Sequence, residues 1–117
     1  MGTSNDTSVV KLVKNYQIYA LGVLLLEIAL GKPLDTSIVT SNVGAELKEY
    51  LTVMRLEKHG FAARTLGPQY GESVTRCLSF KFDTTKHDLA NSELQREFYH
   101  NVVCQLEGCL KIMTEPV

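Results

Sequence analysis

The sequence lacks an excess of charge of either sign. Its 117 residues include 12 Lys and Arg against 13 Asp and Glu, for a formal net charge of -1. Because nucleic-acid-binding domains carry a basic surface, this balance predicts no nucleic-acid partner, and no acidic block is present to recruit a basic one. With 44% hydrophobic residues, the chain can form a packed core. We therefore expect a single domain over residues 8–114, preceded by a flexible segment, residues 1–7.

Cysteines are few and form no pairing pattern. The chain has three of them, with no CxxC pair, which is typical of a reducing compartment and not of a secreted disulfide scaffold. Residues 1–8 are polar and lack the basic and apolar regions of a signal peptide. These features predict a cytoplasmic protein.

No hydrophobic run is long enough to cross a membrane. The apolar run over residues 18–30 is 13 residues long and contains Glu27, whereas a spanning helix needs about 20 apolar residues. The run therefore predicts a buried core helix and no membrane partner.

The first predicted helix covers residues 8–30 and ends at Gly31, with Pro33 shortly after as a stop signal. Over residues 18–30 only Gly22 and Glu27 are not apolar. A helix that is hydrophobic on every side should be surrounded by other helices. We expect the Glu27 carboxylate to lie at the rim of the bundle or to pair with a Lys or Arg from another segment.

Three further helices each present one apolar face. The second covers residues 43–59, the third begins at Pro68, and the fourth begins at a capping box formed by Ser92 and Gln95. The expected inner faces are Leu47, Tyr50, Leu51 and Met54 in the second helix, Tyr70, Val74, Cys77 and Leu78 in the third, and Leu94, Phe98, Val102, Leu106, Cys109, Leu110 and Met113 in the fourth. Residues 32–42 and 81–91 read as loops. No segment alternates with period two, so we predict an all-α fold of about four main helices, with the first central and the others packed around it.

The sequence contains no motif for catalysis, cofactor binding or metal binding. GxGxxG, GxxxxGK[ST] and GxSxG are all absent. His59, His87 and His100 have no second ligand at metal-binding spacing. Cys104 and Cys109 would lie about 140° apart around a helix and cannot bind one metal ion together. We therefore predict no enzyme activity, no cofactor and no metal site, and we identify no small-molecule substrate.

Several segments resemble the C-terminal lobe of protein kinases. Residues 18–27 (IYALGVLLLE) and 31–34 (GKPL) resemble its long central helix and the turn after it, and residues 76–78 (RCL) resemble a later helix of the lobe. With residues 66–70 (LGPQY) and 97–103 (EFYHNVV), the chain is similar over residues 15–113 to an uncharacterised fungal kinase-like domain that often accompanies prion-inhibition or HeLo-type helical domains.

The chain departs from kinases where their chemistry lies. Gln17 stands where the kinase central helix carries an Asp that holds the catalytic loop. The Gly-rich loop, VAIK, HRD, DFG and APE elements are absent. The resemblance therefore implies the lower half of the kinase fold without its catalytic residues.

Three hypotheses for function follow. The first is a non-catalytic kinase-like fragment in a fungal signalling protein, acting as a structural or protein-interaction module. The alternative is a segment of a phosphotransferase or pseudokinase whose nucleotide-binding part lies upstream. The third is a divergent product without present activity.

A protein partner or self-association would need an exposed apolar surface. Three helices are too few to cover a helix that is apolar on every side. We therefore expect an exposed apolar patch on the N-terminal half of the first helix, formed by Val9, Leu12, Val13 and Tyr16, while Leu24 and Val102 should be core residues.

Overall fold

The computed structural model describes residues 13–38 and 43–114, and in these ranges every regular element is helical. The helices are α1 (Tyr16–Leu30), α2 (Ala45–Lys58), α3 (Phe61–Leu66), α4 (Pro68–Ser79), α5 (Ser92–Phe98) and α6 (Cys104–Thr114), with a 3₁₀ turn at Thr36–Ile38 and a π-helical segment at Tyr99–Val103 between α5 and α6. The fold is all-α, as predicted. Among the described residues, no helix is both long enough and apolar enough to span a bilayer.

Helix α1 begins later than predicted. Asn15 caps it, because its side-chain Oδ1 accepts a hydrogen bond of 3.0 Å from the Ile18 amide, which satisfies one of the unpaired amides of the first turn. Residues 13–15 are not helical, and residues 8–12 lie outside the described ranges. The predicted end is confirmed: Gly31 adopts a left-handed conformation with φ 75° and donates its amide to the carbonyls of Glu27 and Ile28.

Helices α1 and α4 pack closely against each other. Gly22 permits the contact, since a Cβ there would lie 2.8 Å from Leu78 Cδ2 and 2.9 Å from Cys77 Cβ. The Tyr70 hydroxyl donates a hydrogen bond of 2.6 Å to the Leu25 carbonyl and joins the helices at a second point. All four residues of the predicted inner face of α4 are buried, namely Tyr70, Val74, Cys77 and Leu78.

The short helix α3 was not expected from the sequence. It has only six residues and lies between Gly60 and Gly67, both with positive φ. It packs against α4 at Gly71, where a Cβ would lie 2.5 Å from Ala63 Cβ. Because α4 contacts α1, α3, the π-helical segment and α6, α4 occupies the central place that the sequence suggested for α1.

Helix α2 buries two residues outside the predicted face, while three residues of that face pack partly buried against the core. Thr52 and Val53 are its buried residues, while Leu51 is 38% exposed and the other predicted inner residues, Leu47, Tyr50 and Met54, are only partly buried. Thr52 can enter the core because its hydroxyl donates to the Lys48 carbonyl at 2.7 Å, which satisfies the buried polar group. The spacing of hydrophobic residues alone could not show that this hydrogen bond allows a threonine to be buried.

The last predicted helix is interrupted by the π-helical segment. Its cap is Asn91, whose Oδ1 accepts from the amides of Glu93 and Leu94, and Gln95 bonds to the Leu89 carbonyl, so the predicted Ser92–Gln95 capping box is wrong. The wider π turn inserts an extra residue and rotates the apolar face that follows. Leu94, Val102 and Cys109 are buried as predicted, Phe98 and Leu106 are partly buried, Leu110 is 60% exposed, and the Met113 side chain lies outside the described part.

Candidate interaction surface on helix α1

Of the apolar patch expected on the N-terminal half of the first predicted helix, the structure describes Val13 and Tyr16. Val13 is only 8% exposed and belongs to the core. It borders a small cavity of about 30 Å³ together with Tyr19, Cys77 and Leu78, room for about one water molecule. Tyr16 is exposed, as expected, at 43%. Val9 and Leu12 lie outside the described residues.

A different apolar surface lies along the exposed side of α1. Tyr16, Ala20, Leu24 and Ile28 follow each other at intervals of four residues and are all exposed, and we call this set the α1 row. Leu24 is 52% exposed and Ile28 56%, so the assignment of Leu24 to the core is wrong. Helices α3 and α4 pack against α1, and the buried residues of α1 form the opposite side of the helix from the row.

Glu27 lies near the C-terminal end of the α1 row and binds the chain that follows the helix. Its Oε2 accepts a hydrogen bond of 2.9 Å from the Leu34 amide, so the chain that follows α1 folds back against the helix. The expected rim position is confirmed, because Glu27 is half-buried. Its partner in the structure is a backbone amide and not a Lys or Arg.

Tyrosines and carboxylates border the α1 row on the side of α2. Tyr19 stacks on Tyr50 with ring centroids 6.2 Å apart, and Tyr16 meets Tyr19 edge-on at 6.5 Å. Among the residues that the structure describes, none offers the buried Tyr19 hydroxyl a partner at hydrogen-bond distance. Burial, and then the nearby Glu49 carboxylate, raise the pKa of Tyr19 far above its usual value.

The carboxyl group of Glu49 lies at this border and has a raised pKa. Burial and then the negative charge of Glu27 raise its pKa above the ordinary value; the nearby Tyr19 hydroxyl lowers it, and the negative charge of Glu46 adds a further, smaller increase. The border between α1 and α2 therefore gathers three negative charges beside aromatic rings.

The cysteines occupy the places that small apolar residues would take. Cys77 and Cys109 are buried, as predicted, and Cys104 is half-buried; all three thiols are free. Burial raises the pKa of Cys77 to about 12, so its thiol stays protonated and is a poor nucleophile at neutral pH.

The histidines lie apart from one another. His59 follows the last residue of α2, and His100 lies beside Tyr99 on the π-helical segment. His87 lies in the loop before α5, where its ring meets Phe80 edge-on and its carbonyl accepts from the Asn15 side chain at 2.7 Å. No group of three or more His, Cys, Asp or Glu side chains could hold a metal ion in the parts of the chain that the structure describes.

The fold and this surface define an all-α domain with an apolar row exposed on one of its core helices. The chain belongs to the family described as a domain of unknown function, DUF7580, which matches residues 3–112. The match therefore runs from before α1 into α6. No curated protein and no solved structure matches the chain.

Proposed function

We propose that this domain is a non-catalytic, kinase-like helical module that binds another protein through the α1 row. The observation that carries the proposal is the exposure of Leu24 and Ile28, at 52% and 56%, in a helix whose other side forms the core. Covering the exposed half of each side chain would be favourable by about 1 kcal/mol.

The arrangement of these residues supports binding more strongly than their number does. Single exposed apolar side chains are common on protein surfaces, but a continuous apolar strip with a polar border is typical of an interface. The half-buried Glu27 lies beside the row and supplies a polar border.

The same observation also favours the second candidate, a segment of a phosphotransferase or pseudokinase. In that case an upstream part of the same molecule, carrying the nucleotide site, would cover the α1 row. An HRD or DFG segment encoded in frame upstream of this sequence would favour this candidate over a free-standing module.

The cysteines bear on the compartment in which the module functions. Three free cysteines are compatible with a reducing compartment, and on this ground we propose that the domain functions in the cytoplasm.

Because no residue pattern for phosphate binding is present, calorimetry should detect no saturable binding of ATP with magnesium, and micromolar binding would contradict the non-catalytic role.

The binding surface can be tested with a fluorescent dye that reports exposed apolar surface. At low protein concentration, the wild-type chain should enhance the fluorescence, and the double variant Leu24→Lys with Ile28→Lys should lose most of that effect. Gln17→Lys is the control for added charge, because it places one positive charge, against two in the double variant, on the same side of α1 without removing apolar surface. Circular dichroism should be unchanged in every variant. Equal fluorescence for the double variant and the control would refute the α1 row as a binding surface.

A further inference from the structure

We propose that the α1 row binds a cationic segment of another protein, one that carries apolar side chains beside lysines or arginines. The inference rests on the proposed function, since it names the chemistry of the partner for the surface assigned there. Its basis is the acidic and aromatic border between α1 and α2, which runs along one side of the row.

The border carries carboxylates along the length of the row. Tyr16 and Glu27 lie about three turns apart but only about 20° apart around α1, so Glu27 is on the same side of the helix as the exposed Tyr16 ring. On α2, Glu46 precedes Tyr50 by four residues and shares its face, and the stacking of Tyr50 on Tyr19 brings that face against α1. Burial and then the negative charge of Glu46 raise the pKa of the Tyr16 hydroxyl above its ordinary value, as this placement requires.

These carboxylates form no ion pair in the part of the chain that the structure describes. The ion pair found there joins Arg76 and Glu72, both on α4. Lys48 follows the border closely in sequence, but it lies about 160° around α2 from Glu46 and so is on a different side of the helix. Because the neighbouring carboxylates repel one another, a cation placed at the border would be attracted by more than one of them.

An unpaired hydroxyl lies at the same border. Tyr19 is 5% exposed, and its hydroxyl has no partner at hydrogen-bond distance among the described residues. After burial, Glu49 is the group that raises the pKa of this hydroxyl most. Aromatic rings beside carboxylates favour ammonium and guanidinium groups, because the face of a ring attracts a cation. A lysine or arginine of the partner could therefore contact the exposed Tyr16 ring and a carboxylate together, while apolar side chains cover Leu24 and Ile28.

The row also sets the length and the pattern of the partner segment. From Tyr16 to Ile28 it is about 18 Å long, the length of a helix of about 12 residues. On such a helix, the lysines or arginines should lie on the flank that faces α2. A second copy of α1 does not have this pattern, because it would bring Glu27 and its neighbours against like charges. A contact this short should be weak, with a dissociation constant of about 10 µM to 1 mM.

A model peptide tests the charge preference of the full chain. The probe is a labelled synthetic peptide of about 18 residues, long enough to form a helix, with leucines at intervals of three and four and lysines along one flank. Its counterpart has glutamate in place of every lysine. In fluorescence anisotropy titrations at low salt, the lysine peptide should bind in the range given above and the glutamate peptide at least about tenfold more weakly. Added salt should weaken the binding of the lysine peptide.

Two matched glutamate variants locate the charge. Glu46 and Glu107 are both exposed and both lie in the first turn of a helix, but only Glu46 lies at the border. Glu46→Gln should weaken binding of the lysine peptide about two- to fivefold, as expected for one exposed ion pair, and Glu107→Gln should weaken it less than about 1.5-fold. Leu24→Lys should weaken it at least about tenfold, because it removes apolar contact and adds a repelling charge.

Three results would overturn the cationic partner: equal binding of the two peptides, equal effects of Glu46→Gln and Glu107→Gln, or no binding at millimolar concentration. Sedimentation equilibrium that shows the wild-type chain alone to be a dimer through the row would overturn it as well, with a second copy as the occupant. If the dye still distinguishes the double lysine variant from Gln17→Lys in any of these events, the row binds a partner of different chemistry and the proposed function stands. If the dye does not distinguish them, both fail.

Discussion

The contact between α3 and α4 allows a sharp prediction at Gly71. A Cβ at this position would lie 2.5 Å from Ala63 Cβ, 2.7 Å from Ala63 Cα and 2.9 Å from Ala63 N. Two of these atoms belong to the backbone of α3, so no side-chain rotation can relieve the overlap. Gly71→Ala must therefore push α3 away from α4.

The expected size of the effect follows from two opposing contributions. Overpacking of a well-packed core costs about 1–3 kcal/mol, while replacing a helical glycine by alanine is favourable by about 1 kcal/mol. Because the overlap involves backbone atoms, we place the cost at the upper end and expect a net loss of about 2 kcal/mol. Gly108→Ala is the matched control: its nearest contact would be Gln69 Nε2 at an ordinary 3.5 Å, so it should gain up to about 1 kcal/mol.

Urea denaturation monitored by circular dichroism gives both free energies of unfolding. The two substitutions are chemically identical and both lie inside helices, so their difference isolates the packing. A difference of about 3 kcal/mol is expected from the two estimates together. If Gly71→Ala is as stable as Gly108→Ala, the close packing of α3 on α4 is wrong.

Three further predictions concern other parts of the fold. The folded-state pKa of the Glu49 carboxyl group is raised above its ordinary value of 4.5. Its protonated form therefore favours the folded state, and this contribution to stability is lost as the pH rises through the folded pKa. In denaturant titrations at several pH values, Glu49→Gln should raise the unfolding free energy at pH 7 and make that free energy depend less on pH above 4.5. Asn15→Ala should lower the thermal stability by about 1 kcal/mol, because it removes the α1 cap, and an unchanged melting temperature would contradict the cap. Val102→Asp should cost more than about 3 kcal/mol at a fully buried site, whereas His87→Ala in the exposed loop should cost less than about 0.5 kcal/mol in the same melts.

Sequence patterns predicted the buried residues best in helices of which one side is clearly apolar and the other polar. The inner face of α4 could be predicted because polar residues separate Tyr70, Val74 and the adjacent pair Cys77 and Leu78 along the chain. The apolar sequence of α1 gave no such contrast. It could not indicate which side meets α4 and which side remains exposed, and Leu24 was therefore assigned to the core.

Other differences between the predicted and the observed structure arise from features that the spacing of hydrophobic residues does not encode. Helix α3 has six residues, fewer than two turns, so no hydrophobic period can be recognised in it. The π-helical segment at Tyr99–Val103 changes the register of α6 through backbone geometry alone. The capping role of Asn15 was not predicted, because the first helix was expected to begin nearer the N-terminus and to include this residue.

The central claim is that the α1 row lies on the surface of the folded monomer and is available to a partner. Its most direct test is the unfolding free energy of Leu24→Lys and Leu26→Lys, measured by urea denaturation at a concentration where the chain is monomeric. Leu24 is 52% exposed and Leu26 is fully buried, although the residues are two positions apart in one helix. We predict a change within about 0.5 kcal/mol for Leu24→Lys, and a loss above about 3 kcal/mol or failure to fold for Leu26→Lys. If the two variants are destabilised equally, the row is buried within the chain itself and the account of α1 is contradicted.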